Sequence, residues 1–229
     1  MTDMQNHLST EHFESGMQRR GMHHVPGMSL KEMESLSFEE ALEKALIPRD
    51  KYDVRRWLFV PDHYTEYRYI LGTRGQNPLV CIGINPSTAE PDALDPTVKS
   101  VERIAYGNGF DSFMMFNVYA QRATTPDDMD AEMVEDLHLE NMRAFDYVLS
   151  LSESPVVWAA WGTIIEKRAY LPLCLRDMIE VGKRHGARWV QCGKTSKKGH
   201  PHHPLYLRKD EQIRPFDVEA YLEHCLISV

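Results

Sequence analysis

Short apolar runs alternate along this chain with longer stretches in which apolar side chains recur every three or four positions. The first two runs, Arg56–Val60 and Tyr67–Leu71, are separated by Pro61 and polar residues and predict an antiparallel strand pair. The pattern then changes. Leu79–Asn85, Phe113–Ala120, Val156–Trp161 and Arg188–Cys192 read as buried strands, and each but the last is followed by a helical repeat. Asp95-Pro96 opens a helix with Val98, Val101, Ile104 and Ala105 on one face, closed by Gly107-Asn108-Gly109. Thr125-Pro126-Asp127-Asp128 reads as a second helix start, with Leu137, Ala144, Phe145 and Val148 at helical spacing. Thr163-x-x-Glu166 is a capping-box pattern, and Pro172 restarts that helix with Leu171, Leu175, Met178 and Ile179 inward. A last helix is expected over Phe216–Leu226.

Four alternations of buried strand and helix predict an α/β three-layer sandwich around a central, mostly parallel four-stranded sheet. In such folds the working groups collect on loops beyond the carboxyl ends of the strands. Residues 1–28 lack periodicity and are expected to form a mobile arm. Two capping boxes follow, Ser29-x-x-Glu32 and Ser37-x-x-Glu40. The expected organisation is an N-terminal extension over 1–50, flexible then helical, and one α/β domain over 51–229.

Composition narrows the class. The chain has 229 residues, 42% of them hydrophobic, with 26% charged and four cysteines. Cys81, Cys174, Cys192 and Cys225 form no CxxC pair, which argues against a zinc ribbon or a disulfide scaffold. The longest apolar run, Val156–Trp161, is too short to cross a bilayer, and the polar start lacks a signal-peptide core. A cytoplasmic protein without a membrane partner is expected, a monomer needing no cofactor. Net charge is −8. Between residues 183 and 214, nine Lys/Arg face two acidic residues, so that segment is +7 and the remainder −15. A basic face on an acidic body can track phosphates. It can equally be a solvated helix end and loop.

Candidate chemistry lies at the strand ends. Asn85, Pro86 and Ser87 form a stiff turn that offers an amide and a hydroxyl, or that merely satisfies its own backbone. Asn117 is a lone amide in an apolar run, costly unless paired, and its donor–acceptor edge matches that of a nucleobase. Phe116 and Tyr119 could add a stacking surface or belong to the core. The fourth strand leads to His200-Pro201-His202-His203-Pro204. Neighbouring loop histidines cannot surround an ion unaided and no acid or cysteine accompanies them, so hydrogen bonding or acid–base work is expected rather than a metal.

Four segments in this order resemble the uracil-DNA glycosylase superfamily. Gly83–Ser87 (GINPS) resembles its GQDPY or GINPG motif, and Phe113–Asn117 (FMMFN) its LLLN strand. Val156–Gly162 (VVWAAWG) resembles VxxLLWG, and His200–Leu205 (HPHHPL) resembles HPSPL with one extra residue. A closer likeness is to the DUF1643 family. It is carried by the NPSTA turn from Asn85, Ala93–Thr97 (ALDPT), Asn117–Ala123, the Ala-Trp-Gly at 160–162, and the His-Pro-Leu-Tyr ending at Tyr206.

The glycosylase resemblance implies a base-flipping enzyme that hydrolyses an N-glycosidic bond in DNA, duplex or single-stranded. Asn117 would read the base, and His200 or His203 would stabilise the departing base anion. The extra residue leaves the choice of histidine open. Two departures bear on the substrate. Asn85 replaces the aspartate of the most active members and cannot take a proton from water, which leaves Asp95 as the nearest carboxylate, itself an ordinary helix cap. Ser87 replaces an aromatic that excludes 5-substituted bases, leaving room for a modified pyrimidine. Arg122, Lys194, Lys197, Lys198 and Arg208 are the expected phosphate contacts. The implied role is repair or defence against modified foreign DNA. Rival readings are a base sensor that does not cleave and a hydrolase of free nucleosides or nucleotides.

Overall fold

A computed structural model describes residues 19–20, 23–27, 29–32 and 37–226. Among them, seven strands form one sheet. In chain order these are β1 (Trp57–Val60), β2 (Ile70–Thr73), β3 (Pro78–Gly83), β4 (Ser112–Asn117), β5 (Val156–Ala159), β6 (Arg188–Cys192) and β7 (Ile213–Pro215). Their spatial order is β1-β2-β4-β3-β5-β6-β7. The four central strands are mutually parallel, while β1, β2 and β7 run antiparallel to their neighbours. The expected four parallel strands are present, but the sheet is larger than four. The antiparallel β1–β2 pair extends one side. On the other side β7 is an edge strand of three half-exposed or exposed residues containing a proline. It has no apolar run, so periodicity cannot reveal it.

Both faces of the sheet are buried, which is why its parallel strands read as continuous apolar runs. Val80, Ile82, Met114, Phe116, Val157 and Ala159 point to one core, covered by α1 (Phe38–Ala45), α3 (Glu135–Ser150) and α4 (Leu171–Arg184). Leu79, Cys81, Phe113, Met115 and Trp158 point to the other, covered by α2 (Pro96–Gly107). The short α5 (Val218–Tyr221) runs into a π-type turn, Leu222–Leu226, over the expected last helix.

Local signals succeed where the side chain has nothing else to bind. Asp95 Oδ1 accepts from the Val98 N–H and Pro96 starts α2 as expected. Ser37 caps α1 through Glu40 N–H at 3.3 Å. Two starts fail. Thr125-Pro126 opens only the single 3-10 turn Pro126–Asp128, and α3 begins at Glu135. Thr163 makes no cap. Its partner Glu166 is instead engaged by the histidine loop, and Gly162–Glu166 is 3-10.

The segment expected as a mobile arm, residues 1–28, is described only at 19–20 and 23–27. Residues 1–18 lie outside the described residues, but His24 is 1% exposed and built into the domain. Its N–H donates to Thr124 Oγ1 at 2.7 Å and its carbonyl accepts from Thr124 N–H at 3.0 Å. Ser29 opens only the 3-10 turn Leu30–Glu32, with its hydroxyl donating to Asp130.

Candidate site at the carboxyl edge of the sheet

The loops after β3, β4, β5 and β6 meet at one edge because those strands are parallel neighbours. β3 is paired on both sides, which brings Gly83–Ser87 to the centre. Gly83 pairs with Asn117 across the ladder. A Cβ on Gly83 would stand 2.7 Å from Met115 Cε and 3.2 Å from the Asn117 amide, so this glycine is the space Asn117 occupies.

Asn117 is fully buried. With its amide oriented to match donors to acceptors, Nδ2 donates to the Asn85 carbonyl at 3.2 Å and to the Phe116 carbonyl at 3.3 Å. Its strand end is held from behind by Asn141 of α3, whose Nδ2 donates to the Asn117 carbonyl at 3.0 Å and the Val118 carbonyl at 3.3 Å. Asn141 carries the same signal as Asn117, a polar residue in an apolar stripe, and sequence reasoning passed over it.

Asn85 spends its amide on its own surroundings. Nδ2 donates to the Ala123 carbonyl at 2.6 Å and the Pro86 carbonyl at 3.1 Å. Pro86 is buried, and the Ser87 hydroxyl shares a 2.8 Å hydrogen bond with Thr124 Oγ1. Phe116 and Tyr119 are core residues. Phe116 packs on Phe145 with centroids 5.1 Å apart. Tyr119 packs on Tyr170 at 4.9 Å, and its hydroxyl accepts from Val134 N–H. Neither can stack on a ligand without opening the core, so the expected aromatic surface is corrected.

The three histidines of the last loop diverge. His200 is 1% exposed and both ring nitrogens are engaged. Nε2–H donates to Glu166 Oε1 at 2.9 Å, while the Tyr221 hydroxyl donates to Nδ1 at 2.9 Å. Trp161 Nε1–H in turn donates to the Tyr221 oxygen at 2.9 Å. This chain ties the loop to β5 and α5, and leaves His200 no nitrogen for a ligand. His202 Nδ1–H donates to the His203 carbonyl at 2.7 Å.

His203, like His202, keeps one ring nitrogen without a partner among the described residues. Its Nδ1 accepts from Leu205 N–H at 3.3 Å, which places the proton of the neutral ring on Nε2. Burial and the neighbouring His202 hold its pKa below the ordinary histidine value, while Asp95 pulls the other way. The ring therefore stays a neutral donor at neutral pH. His203 lies over Gly162, where a Cβ would come within 3.5 Å of His203 Cβ, and Gly162 has a φ of 62°. α2 fixes the far side of the loop: Ser100 donates to the Pro204 carbonyl at 2.7 Å, and Arg103 to the Leu207 carbonyl at 3.2 Å.

Of the expected phosphate contacts, Lys194 and Lys197 are exposed. Lys198 is exposed but contacts Glu166 at 2.7 Å, and Arg208 pairs with Asp210 at 3.2 Å. Arg122 is corrected. It is fully buried, lies 4.2 Å over the Tyr64 ring, and donates to the carbonyls of Ser87 and Ala89. Beside it, sequence reasoning missed Arg68, 1% exposed in the strand-like approach to β2. His24 completes this side of the site. It donates from Nε2 to buried Glu66 at 2.8 Å and accepts from the Tyr64 hydroxyl at 2.9 Å.

The molecule is thus a mixed α/β protein whose parallel core gathers an amide, a neutral histidine, a capping carboxylate and two buried guanidiniums at one sheet edge. It belongs to the family described as "Protein of unknown function (DUF1643)", whose model matches residues 68–205. No curated protein and no solved structure matches the chain significantly. Among the described residues, no helix is long and apolar enough to cross a membrane.

Proposed function

We propose that this protein is a DNA glycosylase that hydrolyses the N-glycosidic bond of a modified pyrimidine after extruding it from the strand. The observation that carries this reading is that the four glycosylase-like segments lie at the carboxyl ends of adjacent parallel strands, with Asn117 ending one strand and His203 in the loop after another. Asn117 would exchange the Asn85 carbonyl for a base edge. His203 would donate its Nε2 proton in a hydrogen bond to the base carbonyl on which negative charge develops, a placement typically worth about 3–4 kcal/mol in a dry site. A neutral histidine is suited to that task at pH 7. Asp95, half-buried and close enough to His203 to influence its titration, is the candidate to orient the attacking water.

A second reading is favoured by one observation. The Asn85 Nδ2 is consumed by two backbone carbonyls, and the remaining amide oxygen can hold a water but cannot take its proton. A protein that flips and senses a base without cleaving it would need no such group.

The test is mass spectrometry of bases released from DNAs carrying uracil, hypoxanthine, 5-methyl-, 5-hydroxymethyl- and glucosylated cytosine. Release of one base, lost in Asn117→Ala and His203→Ala, is the expected result. Absence of release with salt-sensitive DNA binding retained transfers the assignment to the sensor. Release from free nucleosides alone would make the protein a nucleoside hydrolase.

A further inference from the structure

Arg68 is nearly fully buried, and among the described residues its side chain makes one hydrogen bond, from Nη1 to the Ala89 carbonyl at 3.1 Å, while Nε has no partner. Burial and the adjacent Arg122 guanidinium lower its pKa to about 9, so it remains a cation at neutral pH. Two like charges side by side in a dry place are costly. What they accomplish is visible in the loop above them. The Ser87 carbonyl accepts from Arg122 and the Ala89 carbonyl accepts from both arginines, while the Pro86 carbonyl accepts from Ala123 N–H and Asn85 Nδ2. A trans peptide holds its N–H opposite its carbonyl. With the Pro86 and Ser87 carbonyls turned inward, the N–H groups of Ser87 and Thr88 are turned outward, and neither donates to any described acceptor. Both residues are half-buried rather than covered. Successive outward N–H groups backed by fixed positive charge form a concavity that favours an anion.

We propose that the Ser87–Thr88 backbone is a binding site for a nucleotide phosphate, with Arg68 and Arg122 as positioning residues that orient the donors and supply the potential. This goes beyond base excision: the site is defined whether or not a glycosidic bond is broken. The phosphate could be the monoester of a free nucleotide or a diester of the strand, and the shared chemistry is a tetrahedral oxyanion next to the Asn85 turn.

The experiment uses the full chain and amide-resolved NMR titration. The probes are inorganic phosphate, thymidine, thymidine 5′-monophosphate and the dinucleotide TpT, with sodium chloride at matched ionic strength as control. Saturable shifts of the Ser87 and Thr88 amides with phosphate are expected. Thymidine 5′-monophosphate should bind at least about tenfold more tightly than thymidine, since each factor of ten is about 1.4 kcal/mol. Arg68→Gln should erase that preference and Arg68→Lys should restore part of it. TpT binding as well as the monoester marks the strand diester as the source; monoester binding alone marks the free nucleotide. Shifts confined to other amides, shifts reproduced by chloride, or a preference intact in Arg68→Gln would overturn the proposal. The wild-type amide shifts decide it even if the variants fail to fold.

Discussion

Glu166 accepts the Nε2 proton of His200 across 2.9 Å, and this contact separates two histidines that sequence alone leaves equivalent. Because the Tyr221 hydroxyl occupies the other nitrogen, His200 acts as a strut. Removing it deletes a buried ring that accepts from Tyr221 and donates to Glu166, which costs about 1–3 kcal/mol. His200→Ala is therefore expected to lower the unfolding free energy by that much, read as a lower urea midpoint. His203→Ala should move the midpoint far less while abolishing base release. Equal stability losses in the two variants would reverse the assignment.

The depressed pKa of His203 gives a pH signature. In the folded chain this ring takes its proton at lower pH than in the unfolded chain. Between those values the unfolded state binds more protons, so stability rises with pH and falls as pH drops below about 6.5. His203→Gln removes the titration. Its stability relative to wild type should therefore improve between pH 7.5 and 5.5, as read from urea midpoints at both pH values.

Gly83→Ala tests the packing of the Asn117 amide. The added methyl meets the flexible end of Met115, which can yield, and the Asn117 amide, which is pinned to the Asn85 carbonyl. Overpacking of this kind costs about 1–3 kcal/mol. The expected result is a folded protein with that loss in thermal or urea stability and no detectable base release or base-dependent binding.

The basic loop predicts a defined salt dependence. Lys194 and Lys197 are exposed, whereas Lys198 helps hold Glu166. Lys194→Glu with Lys197→Glu should weaken duplex binding and flatten the slope of log K against log salt by about 1.8, the value for two lost phosphate contacts. Fluorescence anisotropy over a salt series measures it. An unchanged slope would show that the duplex does not lie over this loop.

His24 ties the N-terminal segment to the site through its main chain at Thr124 and its ring between Tyr64 and Glu66. His24→Ala leaves the buried Glu66 carboxylate without its imidazole donor. The expected loss is about 1–3 kcal/mol, with faster hydrogen exchange over residues 86–89 and 122–124, measured by mass spectrometry.

Sequence periodicity alone determined the parallel core: strands buried on both faces must be apolar throughout, so β3 to β6 announce themselves within a few residues of their true ends. It also determined the apolar faces of α2, α3 and α4, and the Asp95 cap, since these depend on neighbours three or four positions away. It could not supply β7, whose pairing lies with β6 and not in its own pattern. The site followed the same division. Asn117 was legible as a lone amide in an apolar strand, and by the same logic Arg68 and Asn141 could have been found. Nothing local distinguished His200 from His203, because their roles depend on Glu166, Tyr221 and Asp95, remote in sequence. Nor could charge alone separate Arg122 from the lysines of the loop. Charge belongs to the side chain, whereas burial belongs to the fold, and only the tertiary structure decided which cations face solvent and which lie beneath the Ser87–Ala89 turn.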